Sequence, residues 1–353
     1  MEDFSLEDTW RRHLESLGWP HRAIEQIQLC RAKNTMSGYN RVIKELVGFC
    51  SDKGYEYPPD RTESGVFADF MCQVADRSTR PLSLLKTTMA AISCLYEALG
   101  EPSPMEDGLL HRLASALVKS GTSVPAKHTS VMPAKAFTDL FVSWEDDAKL
   151  PLKALGLKVI TLMALAFMAR PSDLAPVAEQ FDPSSNKSSA YVLSRDQIQF
   201  HNDNSMTVTF FGTKNDTSRT GFEVRIPASS EPKVNVVGSL KCYLQRTETL
   251  VGEDNAVFLA LNAPYKALRA EGVKKVLAEA ISLAGLDGQG FTPRCFRPTG
   301  ANAAIEAGCT PEAAMQIGRW KTKEVFFNHY VYPKAPQNFT KGVAQFTGLS
   351  YDK

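Results

Sequence analysis

From Arg294 to Tyr330 the chain reads RCFRPTGANAAIEAGCTPEAAMQIGRWKTKEVFFNHY, a run of short helical stretches broken at Gly308, Pro311 and Gly318. Arg294 and Arg297 stand three apart, Arg319 and Trp320 follow one helix later, and Tyr330 comes ten residues after the tryptophan. A guanidinium is planar, permanently charged and forked, so several of them aimed at one point suit a phosphate whose charge grows during reaction. An anion clamp followed by a phenol implies phosphoryl transfer on DNA. Singly, the same residues have commonplace explanations, since arginines at i, i+3 usually make a solvated face and a tryptophan followed by aromatics usually makes core.

The rest of the chain sets the frame. With 353 residues there is room for two domains, each with its own core. A hydrophobic share of 43% and a charged share of 22% are those of an ordinary globular protein. The acidic start MEDFSLEDTW is unlike a secretory signal, and no apolar run reads as bilayer-spanning, so no membrane partner is expected. Cys30, Cys50, Cys72, Cys94, Cys242, Cys295 and Cys309 stand singly with no CxxC pair. That spacing predicts neither a metal site nor a disulfide framework, and a reducing compartment, nuclear or cytoplasmic. No GxxxxGK loop and no paired-carboxylate metal cluster stands out, so no cofactor is expected.

A net charge of +1 argues mildly against a nucleic-acid partner. Its distribution argues the other way. Residues 1–120 carry 14 Lys plus Arg against 17 Asp plus Glu, whereas residues 290–343 carry seven basic against three acidic.

Apolar periodicity predicts helices at 36–52, 65–75, 82–98 and 108–119, a compact helical domain over 1–120. GTSVPAKHTSVMPAKA, 121–136, reads as a linker, and 137–353 as a second domain. That domain opens with an apolar helix at 151–168 ending in MARPSDL, where Pro171 forces a break. SRDQIQFHN, SMTVTFF and GFEVRIP read as strands, the last two joined by the turn GTKNDTSRT. Helices return near 235–250, 265–285, 299–307, 311–317 and 323–330. The expected fold class is mainly α, with a small antiparallel sheet on the edge of a mixed α+β second domain.

The order of an arginine in ARPSDL, a lysine in a strand turn, an xxxR box, a GRW step and then a tyrosine resembles the tyrosine recombinase and phage integrase family. The segment GRWKTKEVFFNHY is similar to integrases of eukaryotic mobile elements, the DIRS and Ngaro type retroelements and the cryptons. The resemblance implies a helical core-binding domain over 1–120 and a catalytic domain over 137–353, clamped around double-stranded DNA. It implies that Arg170 is the first catalytic arginine, with Asp173 supporting the site three positions on. Lys214 matches the mobile lysine that protonates the leaving 5′ oxygen. Arg297 matches the second arginine of the family's HxxR box, in which Arg294 stands where histidine is usual. Trp320 matches the His or Trp position and Tyr330 the nucleophile, with Tyr332 as the alternative and His329 beside them.

Two departures bear on chemistry. Arginine at 294 keeps charge and donors but removes a group that titrates near neutral pH. The interval from Trp320 to Tyr330 is one longer than the family's, which leaves open that Arg319 holds the phosphate while Trp320 packs. The implied reaction is cleavage and rejoining of DNA through a 3′-phosphotyrosyl bond, without metal or ATP. Alternatives are a type IB topoisomerase-like enzyme and a catalytically silent DNA-binding relative. The family also implies a homotetramer on two DNA sites. Phe339, Val343 and Phe346 in the tail make an apolar stripe that would dock on a neighbour.

Overall fold

The computed structural model describes residues 5–28, 31, 33–78, 81–120, 130–175, 193–211, 220–252 and 255–329. The chain divides into two compact units, Met1–Lys127 and His128–Lys353. Most of the expected linker, 121–129, lies outside the described residues. The helix that follows begins at Ala134, inside the stretch expected to be linker.

The first unit is helical: α1 Leu6–Ser16, α2 His21–Gln28, α3 Lys33–Lys53, α4 Ser64–Asp76, α5 Pro81–Leu99 and α6 Gly108–Ser120. Phe49, Phe67, Phe70, Ile92, Leu95 and Tyr96 fill its core. The periodicity predicts four of these helices and misses α1 and α2. Their apolar stripes are thin: α1 buries Leu6, Trp10 and Leu14 at one residue per turn, and α2 buries Ile24 alone. What ties α1 down is polar, with Asn40 of α3 accepting from the Leu6 N–H at 3.0 Å and donating to Glu7 at 2.8 Å. Within α5, Leu82–Leu99 is long and apolar enough to cross a membrane, contrary to the reading that no run is. Leu85, Thr88, Ala91, Ile92, Cys94, Leu95, Tyr96 and Ala98 of that helix are nevertheless buried in the unit's core.

The second unit is built around α8, Leu152–Ala166, in which every residue from Leu155 to Ala164 is buried. A helix apolar on all sides belongs at the centre of a domain. Packed around it are α9 Val236–Arg246, α10 Ala270–Leu283 and α11 Phe296–Glu306, while α7 Ala134–Val142 joins the same core against α11. The one charge in its middle, Lys158, is fully buried and bonds Asp147 at 2.6 Å, while Ser239 holds the other carboxylate oxygen at 2.6 Å. The chain ends its described part with α12 Pro311–Gly318 and α13 Lys323–His329.

The sheet has three antiparallel strands in sequence order, β1 Ile198–Phe200, β2 Met206–Phe210 and β3 Phe222–Ile226. Phe210 pairs with Phe222, so the connection that carries Lys214 leaves and rejoins the sheet at one end. On β2, Met206, Val208 and Phe210 are buried at alternate positions and face the core. β1 is shorter than expected because Arg195–Gln197 forms a 3-10 turn. Likewise α10 starts at Ala270 rather than 265, because residues just before it pair as an isolated bridge, Leu259 with Ala267.

α11 starts at Phe296, earlier than the expected 299, with Pro298 in its first turn. Proline in the first turn costs a helix nothing, because N–H groups there have no intrahelical acceptor. This earlier start places Arg297 inside the helix. Residues 296–302 are all buried, and Gly300 lies so close to α8 that a Cβ there would stand 2.2 Å from the Leu165 carbonyl oxygen. Alanine in a helix is ordinarily better than glycine by about 1 kcal/mol. Overpacking costs ~1–3 kcal/mol, and backbone against backbone leaves little room to give. Gly300→Ala is therefore expected to lower stability by about 1–2 kcal/mol, read from the midpoint of urea unfolding; a higher midpoint would show that the two helices are not locked at that contact.

Candidate active site

Three stretches distant in sequence meet beside the end of α8. The first follows that helix directly: Phe167 caps it, and Met168 takes a left-handed conformation, φ 47°, that turns the chain sharply. Such a backbone is strained for a residue with a side chain and persists only where its surroundings hold it. Arg170 then caps the 3-10 turn Pro171–Leu174, and the Asp173 carboxylate reaches back to accept the Arg170 main-chain N–H at 3.0 Å.

The second stretch is the first turn of α11. Arg297, 3% exposed, donates from Nη1 to the Met168 carbonyl and from Nη2 to the Gly318 carbonyl. Its Cζ lies 3.9 Å from the centre of the Trp320 ring. A single guanidinium thus braces the loop after α8 against the loop after α12. Arg294, in the 3-10 turn Pro293–Cys295 ahead of the helix, is exposed.

The third stretch closes α12. Arg319 occupies the left-handed cap position at φ 60°, where glycine is the usual residue. What holds it there is its side chain: Nη2 donates to Asp173 Oδ2 at 2.8 Å, and Cζ sits 4.2 Å from the Phe210 ring centre. Burial pushes the Arg319 pKa below its ordinary value, with the Asp173 charge and hydrogen bond opposing it. An arginine remains protonated under such a shift. Trp320 folds back over Gly318, where a Cβ would stand 1.7 Å from the indole, and packs edge-on against Phe326 of α13 at 4.8 Å.

Around this junction stand three guanidiniums, those of Arg170, Arg297 and Arg319, and the Asp173 carboxylate. Among the described residues Asp173 is the acid recorded in an ion pair with them, at 2.8 Å from Arg319 and 3.9 Å from Arg170. The Arg170 side chain is 28% exposed, while those of Arg319 and Asp173 are 3% and 2%. Fixed cations in a partly desolvated place attract an anion strongly. No group of His, Cys, Asp and Glu suited to a metal ion occurs among the described residues.

No protein-family model matches the chain, and no curated protein matches it in sequence. Solved structures do match its fold along nearly its whole length. The Tn1549 transposon integrase in complex with transposon right end DNA is 12% identical at a TM-score of 0.56, covering 98% of this chain and 100% of that one. The XerH site-specific recombinase bound to its palindromic difH substrate is 12% identical at 0.59, covering 89% and 79%. A lambda integrase dimer bound to a core site is 13% identical at 0.50, covering 95% and 100%. The fold is that of the tyrosine recombinases.

Within this recombinase fold the expected site residues divide into three groups. Arg170, Asp173, Arg297, Arg319 and Trp320 are brought into one junction. Arg297 and Arg319 are turned inward rather than toward solvent, and Trp320 packs over the first of them. Arg294 is exposed with no recorded ion pair. His329 closes α13, and its side chain is not among those described; Lys214, Tyr330 and Tyr332 lie outside the described residues. Residues to which the sequence assigned no part in the site are Met168, Phe210, Gly300 and Gly318. Only Gly318 gave a local signal, a glycine before an arginine at a helix end.

Proposed function

We propose that this protein is a site-specific DNA recombinase or integrase that cuts and rejoins DNA through a 3′-phosphotyrosyl intermediate. The observation that carries this reading is the junction of Arg170, Arg297 and Arg319 with the Asp173 carboxylate, in the tyrosine recombinase fold. Several of the solved structures with this fold are complexes with DNA. Arg170 and Arg294 supply the donors to the scissile phosphate in this reading. Arg297, committed to two carbonyls, holds the loops that carry Arg170 and Trp320.

Tyr330 is the nucleophile. It follows Phe326 by four residues, at most ~14 Å of extended chain, and Phe326 packs on Trp320. A phenol is a weak nucleophile at its free pKa near 10, so neighbouring cations that favour the phenolate assist its attack. As the Tyr330 oxygen bonds to phosphorus, the 5′ oxygen leaves and takes a proton from Lys214. That lysine follows Phe210 by four residues, and Phe210 lies under Arg319. The fixed cations offset charge growing on the non-bridging oxygens. Because the phosphotyrosyl bond conserves the energy of the broken strand, a second 5′ hydroxyl rejoins it without ATP.

Finer features belong to the same proposal. GRWKTKEVFFNHY supports a kinship with integrases of eukaryotic mobile elements. Six cysteines among the described residues are free thiols, which supports a reducing compartment, nucleus or cytosol. Assembly as a tetramer on two DNA sites follows from the family mode.

A nicked duplex that loses its 5′ hydroxyl on cleavage is expected to yield a detergent-resistant protein–DNA adduct in the presence of a chelator; no adduct on any cleavable site would overturn the reading. Transfer of the cut strand to a second duplex is expected, and relaxation of supercoils without transfer would instead indicate a topoisomerase. Lys214→Ala is expected to be slow on ordinary DNA and largely restored on a 5′-bridging phosphorothiolate, whose thiolate leaves without a proton. Absence of that restoration would remove Lys214 from the role of acid.

A further inference from the structure

The Asp173 carboxylate is offered two cations and bonds one. Its Oδ2 accepts from Arg319 Nη2 at 2.8 Å and from the Arg170 main-chain N–H at 3.0 Å. Arg170 Nη1 stands off at 3.9 Å, buried and with no hydrogen-bond partner among the described residues. Arg170, the extended N-cap of the 3-10 turn, and Asp173 at its third position are near neighbours of opposite charge. The shorter bond to Asp173 comes instead from a residue 146 positions on, delivered by a left-handed helix cap and seated on the Phe210 ring.

We propose that Arg319 is a positioning residue that occupies Asp173 Oδ2, the carboxylate oxygen nearest Arg170, and so leaves the Arg170 guanidinium available to an anion. This rests on the reading that Arg170 meets the scissile phosphate. With the charge at 319 removed, a nearly inaccessible carboxylate would have lost its partner, which is costly unless another cation replaces it. Arg170 is the cation at hand: closing 3.9 Å to hydrogen-bond distance would restore the pair, draw its guanidinium inward and cancel its charge. Removing the Asp173 charge as well ends the competition. The geometry therefore predicts an unusual sign, a second substitution that repairs the first.

The test compares full-length wild type, Arg319→Gln, Arg319→Lys and the double variant Asp173→Asn/Arg319→Gln. Single-turnover cleavage of the nicked duplex at saturating DNA and thermal unfolding are measured for each. Arg319→Gln is expected to cleave at least about tenfold more slowly, with the double variant recovering most of that loss. A merely structural role for Arg319 would make the double variant as slow as the single or slower, and that result, or wild-type cleavage by Arg319→Gln, overturns the inference. Should Arg319→Gln fail to fold, Arg319→Lys carries the test: it keeps the charge and is expected to cleave within about threefold of wild type, and a tenfold loss in folded protein overturns the inference. A crystal structure of Arg319→Gln, or of Arg319→Met if the glutamine variant does not fold, is expected to show Arg170 within hydrogen-bond distance of Asp173. Arg170 still standing off there overturns the inference whatever the cleavage assays give, whereas a wild type that forms no adduct overturns only the recombinase reading.

Discussion

Tyr330→Phe is expected to bind its DNA site with near wild-type affinity and to form no covalent adduct at all. The substitution removes one oxygen and keeps the ring, so whatever packing the side chain makes is retained. Loss of the reacting atom leaves no bond to form, which makes this the largest effect of any single change in the protein. Affinity is carried elsewhere, by phosphate contacts spread along the DNA, each of which is independent of that hydroxyl. Gel retardation and the nicked-duplex assay measure the two properties on one preparation. An adduct that survives the substitution would pass the role to Tyr332.

Arg170→Ala is expected to slow cleavage by about a hundred- to thousand-fold at saturating DNA, the effect of losing roughly 2.7–4 kcal/mol when one preorganised donor to a developing oxyanion is removed. Its placement supports a role in the transition state. Caged by a proline turn and a main-chain bond to Asp173, the backbone at 170 is fixed, and the side chain is the partly exposed guanidinium beside the buried pair. A preorganised donor gains most when charge appears opposite it. Binding affinity is therefore expected to fall much less than rate. Equal losses in both would mark Arg170 as an ordinary phosphate anchor.

The physical division between what the sequence discloses and what it conceals is visible residue by residue. The all-apolar run of α8, the alternation along β2 and the proline after Arg170 are local signals, and each predicts the element found there. α1 escapes the periodicity because its buried apolar stripe is one residue wide, and α11 begins three residues before the expected start, with Pro298 in its first turn. The arginines were recognised as a group, yet their orientations were not predictable. Arg297 and Arg319 turn inward because Met168 and Gly318 present carbonyls, and Asp173 a carboxylate, from segments far off in the chain. No spacing rule encodes such a meeting; it is set by how α8, α11 and α12 pack. Phe210 likewise reads as one more strand residue until Arg319 is found against its ring.

Phosphotyrosyl transfer is tested most directly by locating the bond. Wild-type protein trapped on a nicked duplex can be digested with trypsin, and the peptide still joined to DNA fragmented by mass spectrometry. Residues 324–334, EVFFNHYVYPK, hold both candidate tyrosines in one tryptic peptide, so fragment ions that divide 330 from 332 are decisive. A phosphate linking Tyr330 to the 3′ end of the cleaved strand is the expected result. Linkage through Tyr332 or any other residue, linkage to a 5′ end, or cleavage that leaves no covalent bond would contradict it.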